Sequence, residues 1–513
     1  MSSQAAGSRP ASAATTSSEA GGVAALTLAA AFVYSLDSLI LYRRFLASTF
    51  DLVIFDQGIR GYAHLAAPVS IARGVSDGEG PHFLLLADHW SPILALLAPL
   101  YWIIDSPAAL LVAQGVLFAL AIPPLWAYTR RRLGPAAAYF VCVAYALSLP
   151  VMAAVVFDFH EVAFVPVLTA VLVERFDAGR RWHGVLAAAA MLLVKEDMGL
   201  LVAGFGCYLL LRRRREVWTG LAFVVGGVAA TWVATHLLIP AFGGSATFYW
   251  AYGQFGPTLG SALANMITHP LHVLRVFVTP WVKARTMIGL LATFGFLPLA
   301  SPMVIAVLPL LAERMLASGY PLWWQAKFQY DAFVVMMLCC AAVDGAARLE
   351  GVLARKDWRV LRRAGTVWAA AICAGALVYF PSSPLGPLLH PGFYGTNARM
   401  RAAAAAIAHV PAGVEVEASN NLGPRLSGRD TVLLLDGTPR WAPWVVGDTI
   451  GLDFPFCSPS QQAAELAYLQ AHGYSLVFAD DGYLVLHRPA DQRTAQALAH
   501  PLPASRLHTN ICY

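Results

Sequence analysis

The chain has 513 residues, 58% hydrophobic and only 13% charged, with a net charge of +5. A soluble globular chain carries roughly a quarter charged residues. Half that content, spread between long apolar runs, excludes a soluble enzyme and specifies a multi-spanning membrane protein. The basic residues sit in short clusters between apolar segments, which is a topology pattern and not a nucleic-acid footprint, so no nucleic-acid partner is expected.

Residues 1–21 are Ser/Ala/Thr/Gly-rich without periodicity and read as a disordered cytoplasmic tail. The apolar run Gly22–Leu41 has no clear cleavage site after it and is read as an anchor. A first loop, 43–107, follows, and its semi-apolar part His82–Ile104 reads as interfacial or re-entrant. Ala108–Tyr128, Ala136–Val156, Val162–Phe176 and Val217–Ile239 read as spans, with shorter segments at 184–194 and 198–211. Another short pair lies at 286–299 and 302–313, and Asp331–Ala347 and Gly365–Tyr379 close a transmembrane region of 22–385. The expectation is a polytopic α-helical membrane protein of about 11 membrane helices.

Basic loops at 130–132, 175–181, 212–215 and 348–363 are assigned to the cytoplasm by the positive-inside rule. The first loop and the turns at Asp158 and Lys195 then lie on the opposite face. Residues 390–513 read as a small extracytoplasmic α/β domain, with helices at Asn397–His409 and Ser460–His472. Its strands are expected at Val414–Ala418, Thr431–Leu435, Ser475–Ala479 and Tyr483–His487, and Asp481-Gly482 marks a hairpin. There is no glycine-rich phosphate loop and no internal repeat. Five of the seven cysteines lie in apolar runs as packing residues; Cys457 and Cys512 are free to pair if their region is extracytoplasmic.

Ionisable residues beside membrane spans are costly to bury and are functional candidates by default. They collect on the outer face. Asp51, Asp56 and Gln57 follow the first span, and Asp88 and His89 lie further along the first loop. Asp158, His160 and Glu161 form one short turn, and Lys195, Glu196 and Asp197 form the next. Tyr330 ends an aromatic and polar stretch from Trp323 before a late span. Arg43 and Arg44 lie outside against the charge trend and are candidates for an anionic group, or snorkel to headgroups. Asp51 and Asp56 are five residues apart, so on a helix they point in different directions and do different jobs. Asp56, Asp158, His160 and Glu161 are a possible ligand set for divalent Mg or Mn, although no spacing here is diagnostic.

The strings FDLVIFDQ (50–57), DHWSPILALLAPLY (88–101), FDFHE (157–161), LLVKEDMGL (192–200) and FGFLPLASP (294–302) occur in this order. Together they resemble a bacterial family of multi-spanning membrane proteins catalogued as a domain of unknown function, over about 22–490. That family resembles in turn the GT-C superfamily of glycosyltransferases. The resemblance implies a GT-C-like membrane domain in the cell (inner) membrane. It implies a polyprenyl-phosphate-linked sugar as donor, an extracytoplasmic glycan or protein as acceptor, and a catalytic aspartate in the first external loop. That aspartate falls on Asp51 or Asp56, with Asp56 preferred because Gln57 stands beside it to position an acceptor. It matches Asp158, His160 and Glu161 to a second acidic element and Lys195 to a donor-phosphate contact. The chain departs from the motif at Gly58-Ile59-Arg60-Gly61, where an aromatic is expected. The alternatives are a transporter or flippase for a lipid-linked or anionic solute, which predicts pseudo-symmetric halves, and a non-catalytic membrane scaffold.

Overall fold

The computed structural model describes residues 16–212, 216–355 and 363–503. Most of the expected tail, the arginines at 213–215, part of the basic loop 348–363 and Cys512 lie outside the described residues.

Among the described residues, five helices are long and apolar enough to cross a membrane: Ser17–Arg43, Ala108–Leu133, Val217–Ala241, Gln329–Ala354 and Ala364–Ser382. Pro135–Ala146 and Leu149–Val156 make a sixth if taken as one span bent by 42°. The expected continuous span over 136–156 is broken at Leu147-Ser148, and Pro150 in the next turn cannot donate a helical hydrogen bond. Phe164–Asp177, Arg181–Met191 and Met198–Arg212 are helical as expected but shorter than an upright span.

Burial sorts these helices. The apolar window of Gln329–Ala354 is 83% buried, whereas those of Val217–Ala241 and Ala364–Ser382 are 22% and 17% buried. The outward surfaces of the latter two carry Trp218, Val225, Val367 and Val378, side chains suited to lipid. Met198–Arg212 packs closely on Val217–Val233 because Gly199 faces Gly227 and Gly206 faces Gly220. A side chain at any of the four would strike the opposite helix, and small residues are how membrane helices approach this closely.

The first helix gives the bundle its two ends. It begins earlier than the sequence reading placed it, because Thr16 and Glu19 form a capping box that starts the helix at Ser17. Its 27 residues span about 40 Å at 1.5 Å per residue. At its start Glu19 pairs with Arg130 at 3.1 Å. The same end holds Arg131 with Glu174 and Asp177, and Arg132 with Asp177 and Asp344. At its other end the chain enters the first loop through a π-helical turn, Thr49–Val53, that runs into Ile54–Ala63. Residues 82–104 do not form one interfacial helix. Pro92 and Pro99 each open a new short turn, leaving Leu85–Asp88, Pro92–Leu97 and Ala98–Tyr101.

The C-terminal region is a five-stranded sheet of order β2-β1-β3-β5-β4. Its strands are β1 (Glu415–Ala418), β2 (Thr431–Leu434), β3 (Trp444–Asp448), β4 (Ser475–Asp480) and β5 (Tyr483–His487). β2, β1 and β3 are parallel; β5 runs antiparallel to both β3 and β4. The Asp481-Gly482 hairpin is present, with both residues at positive φ (43° and 84°). β3 escapes sequence reading because its run is short and sits between Pro443 and Gly447. Cys457 is disulfide-bonded and the five cysteines of the apolar segments are free.

This domain does not close its own core. One face buries Val416, Val432, Val446 and Val485 together with Phe45, Val53 and Ala72 of the first loop. The crossover between β1 and β2, residues 419–430, lies directly on the Thr49–Val53 turn. Gly423 is there because a Cβ at that position would collide with the Thr49 side chain. Gly423→Ala is therefore expected to destabilise the docked domain by about 1–3 kcal/mol, the usual range for overpacking. Adding Thr49→Ala should restore part of the loss. Thermal unfolding in detergent, read with proteolysis of the 390–503 region, checks this; equal stability of native chain and Gly423→Ala would contradict the tight docking.

Candidate active site

The π-helical turn after the first helix is held from three directions. Ser48 caps it by accepting from the Asp51 backbone N–H at 3.2 Å. The Ser48 backbone N–H donates to Asp158 Oδ2 at 2.8 Å. From the C-terminal domain, the Asn420 carbonyl accepts from the Thr49 N–H (2.7 Å) and hydroxyl (2.8 Å), and Asn420 Oδ1 accepts from the Phe50 N–H (2.9 Å).

The two aspartates of the stretch meet different surroundings. Asp56 is fully buried. Its Oδ1 accepts from the Tyr101 hydroxyl (2.6 Å) and from Arg60 (3.1 Å), and its Oδ2 accepts from the Ser427 hydroxyl. Gln57 likewise joins parts of the fold: its amide donates to the Val432 carbonyl and its oxygen accepts from the Ala72 N–H. Arg60, which occupies the place where an aromatic is expected, also pairs with Asp105. Asp51, by contrast, keeps 26% of its side chain exposed. It accepts from the Ser48 hydroxyl at 3.1 Å and stands 3.3 Å from His160 Nε2.

His160 leads to the next turn. Its Nδ1 lies 2.9 Å from the Asp158 carbonyl, and its ring stacks on Phe157. The turn is locked by Gln114, a residue in the middle of the Ala108–Leu120 helix that sequence reading passed over. The Gln114 amide donates to the carbonyls of Ala154, Phe157 and Asp158, and its oxygen accepts from the His160 N–H. A lone glutamine inside an apolar run is the signal that would have found it. Glu161, beside His160, is 2% exposed and pairs with Lys195 Nζ at 3.1 Å. Lys195 Nζ is also 3.4 Å from His89 Nε2, while His89 Nδ1 lies 2.7 Å from Glu196. The Trp90 N–H donates to the second Glu196 oxygen at 3.1 Å. Asp88 takes both arms of Arg73 (2.9 and 3.0 Å) and the Tyr249 hydroxyl (2.6 Å).

Asp51, Asp158, His160, Glu161, Lys195, Glu196, His89 and Asp88 thus form one connected region drawn from the first loop and two distant turns. Tyr330 joins it electrostatically, influenced by Lys195, Asp51 and Glu161. Asp56 and Gln57 lie in the interface with the C-terminal domain. Arg44 donates to the carbonyls of Phe393 and Gly395, and Arg43 is exposed in the last turn of the first helix. The possible metal set is not gathered: among the described residues no three of His, Cys, Asp and Glu are grouped as metal ligands. Asp56 is turned to Tyr101, Arg60 and Ser427, and Glu161 to Lys195.

The region's charges set its electrostatics. Burial alone would favour neutral Lys195, but Glu161, Glu196 and Asp197 outweigh it and keep the ammonium. Burial also opposes the Glu161 carboxylate, and Lys195 with His89 overcomes it and holds Glu161 below the ordinary range. Burial opposes a charged His160, yet the bond to Asp51 and the charges of Asp51 and Glu161 raise it above the ordinary histidine value. Asp158 is pushed up to about 7 by burial and then by the neighbouring Asp51.

A wall of aromatic rings borders the same region. His89 stacks on Tyr249 at 4.8 Å between centroids, and Tyr249 meets Tyr320 at 5.9 Å. Tyr320 stacks on Trp323 at 4.7 Å, and Trp323 approaches Tyr330 at 6.5 Å. Arg314 fixes the segment that carries Trp323 and Tyr330, built on the short 3-10 turns Pro321–Trp324 and Gln329–Asp331, by donating to the carbonyls of Trp323 and Gln325 and pairing with Asp331.

A bundle of apolar helices, with a small α/β domain docked on its first loop, defines a multi-spanning membrane protein. The chain belongs to the family described as "Predicted membrane protein (DUF2079)", whose model matches residues 41–485. Among solved structures it is similar to ArnT from Cupriavidus metallidurans bound to undecaprenyl phosphate. The TM-score is 0.51 at 14% identity, covering 92% of this chain and 99% of that one. It is also similar to the archaeal oligosaccharyltransferase AglB from Archaeoglobus fulgidus in complex with an inhibitory peptide and a dolichol-phosphate. There the TM-score is 0.44 at 11% identity, covering 92% and 75%. The fold assignment rests on the first. No curated protein matches the chain.

The elevated Asp158 makes stability depend on pH in a defined direction. Its folded value, about 7, lies above the ordinary 3.8. Its contribution is therefore complete below the ordinary value and lost as pH rises from there through about 7. Asp158→Asn is expected to flatten the fall in melting temperature between about pH 4 and pH 7. Melting curves of native and variant chains in one detergent test this; parallel curves would show that Asp158 does not titrate in this window.

Proposed function

We propose that the protein is a membrane glycosyltransferase that moves a sugar from a polyprenyl-phosphate donor to an acceptor hydroxyl on the extracytoplasmic face. The observation that carries this reading is the connected region described above. A partly exposed carboxylate, Asp51, is held by Ser48 and His160. A lysine ammonium, Lys195, stands within the same region, anchored by Glu161. Transfer needs a group to take the acceptor proton and a positive group for the departing phosphate. The basic end of the bundle faces the cytoplasm in this reading, which puts the region and the C-terminal domain outside. The fold shared with ArnT supports the class of enzyme.

In the reaction the acceptor oxygen attacks the anomeric carbon, the bond from that carbon to the phosphate oxygen breaks, and the acceptor proton passes to the base. Asp51 is the base and Lys195 balances the charge that builds on the phosphate. Although sequence reading prefers Asp56, both Asp56 oxygens are occupied and no edge of it is accessible, so it braces the site instead. His160 orients Asp51. With no ligand set assembled, no step is assigned to a divalent ion.

Asp51→Asn is expected to lower transfer by roughly a hundredfold or more with an unchanged melting temperature. Asp56→Asn should retain transfer while costing about 1–3 kcal/mol of stability, the range for disturbing a buried hydrogen-bonded group. Transfer measured in membrane vesicles, together with envelope glycans of cells carrying each variant, separates the two. Native-level transfer by folded Asp51→Asn would sink the assignment.

A further inference from the structure

The aromatic wall asks for a function because it is not the usual aromatic belt of a membrane protein. Belt residues stand out at the lipid boundary, as Trp281 and Trp232 do here with 68% and 49% exposure. Tyr249, Tyr320, Trp323 and Tyr330 instead turn inward, half-buried and packed ring to ring. The set is also anchored to the charged region through Tyr249, and its Tyr330 end lies within the field of the same charges. Tyr249 stacks on His89, which contacts Lys195, and Tyr330 feels the charges of Lys195, Asp51 and Glu161. Trp323 lies between these ends, 6.4 Å from Tyr249 and 6.5 Å from Tyr330.

A second observation concerns hydrogen-bond capacity. Glu161 Oε2 and Asp197 Oδ1 have no hydrogen-bond partner, although each carboxylate belongs to the cluster around Lys195. Unsatisfied buried acceptors are costly and call for a donor. Flat aromatic faces beside carboxylate acceptors match one class of ligand closely. A pyranose ring has an apolar face of C–H groups that lies on an aromatic ring, and a rim of hydroxyl donors that carboxylates receive.

We propose that Trp323, flanked by Tyr320 and Tyr249, is the platform for the sugar ring of the donor. Glu161 and Asp197 receive its hydroxyls, and Lys195 meets the phosphate. This inference rests on the glycosyltransferase reading and adds to it the residues that recognise the sugar as distinct from its lipid phosphate.

The two parts of the donor are separable by experiment. The full chain in nanodiscs is titrated with bare undecaprenyl phosphate and with the same lipid carrying glucose, mannose or galactose. The native chain is expected to bind at least one sugar-bearing lipid more tightly than the bare lipid. Trp323→Ala should reduce that preference roughly tenfold, the loss of one good ring contact, while bare-lipid affinity stays unchanged. Trp323→Phe should keep most of the preference, and Tyr320→Ala should lose part of it, which guards against misfolding of a single variant. Lys195→Ala should weaken both kinds of lipid together. Equal loss for bare and sugar-bearing lipid in Trp323→Ala, or a native chain with no preference for any of the three sugars, overturns the platform and leaves the phosphate site standing. Failure of the native chain to bind any of these lipids overturns the platform and the donor reading together.

Discussion

The Lys195 ammonium at the end of an apolar bundle is the constraint on which the other parts depend. Hydrocarbon offers it no solvation, and one carboxylate would leave its remaining protons unpaired. Glu161 supplies the ion-pair partner, Glu196 and Asp197 add negative charge nearby, and Glu196 holds His89 beside it. These come from three separate stretches of chain. These stretches must therefore converge, and the region they form is polar inside an otherwise apolar domain. The aromatic wall meets that region through His89 and the π-helical turn meets it through Asp51.

The C-terminal domain supplies a second constraint, this one of shape. Asn420 and Ser427 reach across from the β1–β2 crossover to residues 49–56, and the two regions share one apolar core. The turn bearing Asp51 is thus a joint product of the first loop and the sheet. Asp51 lies in that turn and Asp56 in the α-helix that follows it, one toward the charged region and one into the seam.

Much of this was legible in the sequence. The long apolar runs announce their own helices because nothing else can satisfy a backbone in lipid. The motif charges were recognisable because ionisable residues stand out against an uncharged background. Less was legible where the determining partner is remote. Nothing local distinguishes Asp56 from Asp51; the difference is made by Tyr101 and Ser427, the latter 371 residues away. Gln114 stands out as a lone glutamine in an apolar run, but what it holds was hidden for a similar reason, since its partners belong to another helix end. The first helix began early because a capping box outweighs a tail-like composition over a few residues. β3 needed its neighbours β1 and β5 to be a strand at all.

The seam between residues 49–57 and 420–432 also has a consequence in time. A chain emerging from the ribosome offers its first helix and first loop to the membrane long before the sheet exists. The contacts of the Thr49–Val53 turn with Asn420 span about 370 positions, so they form only after the β1–β2 crossover has been synthesised. Each copy therefore remains unfinished at this turn throughout its insertion, and the turn is completed only with the last quarter of the polypeptide.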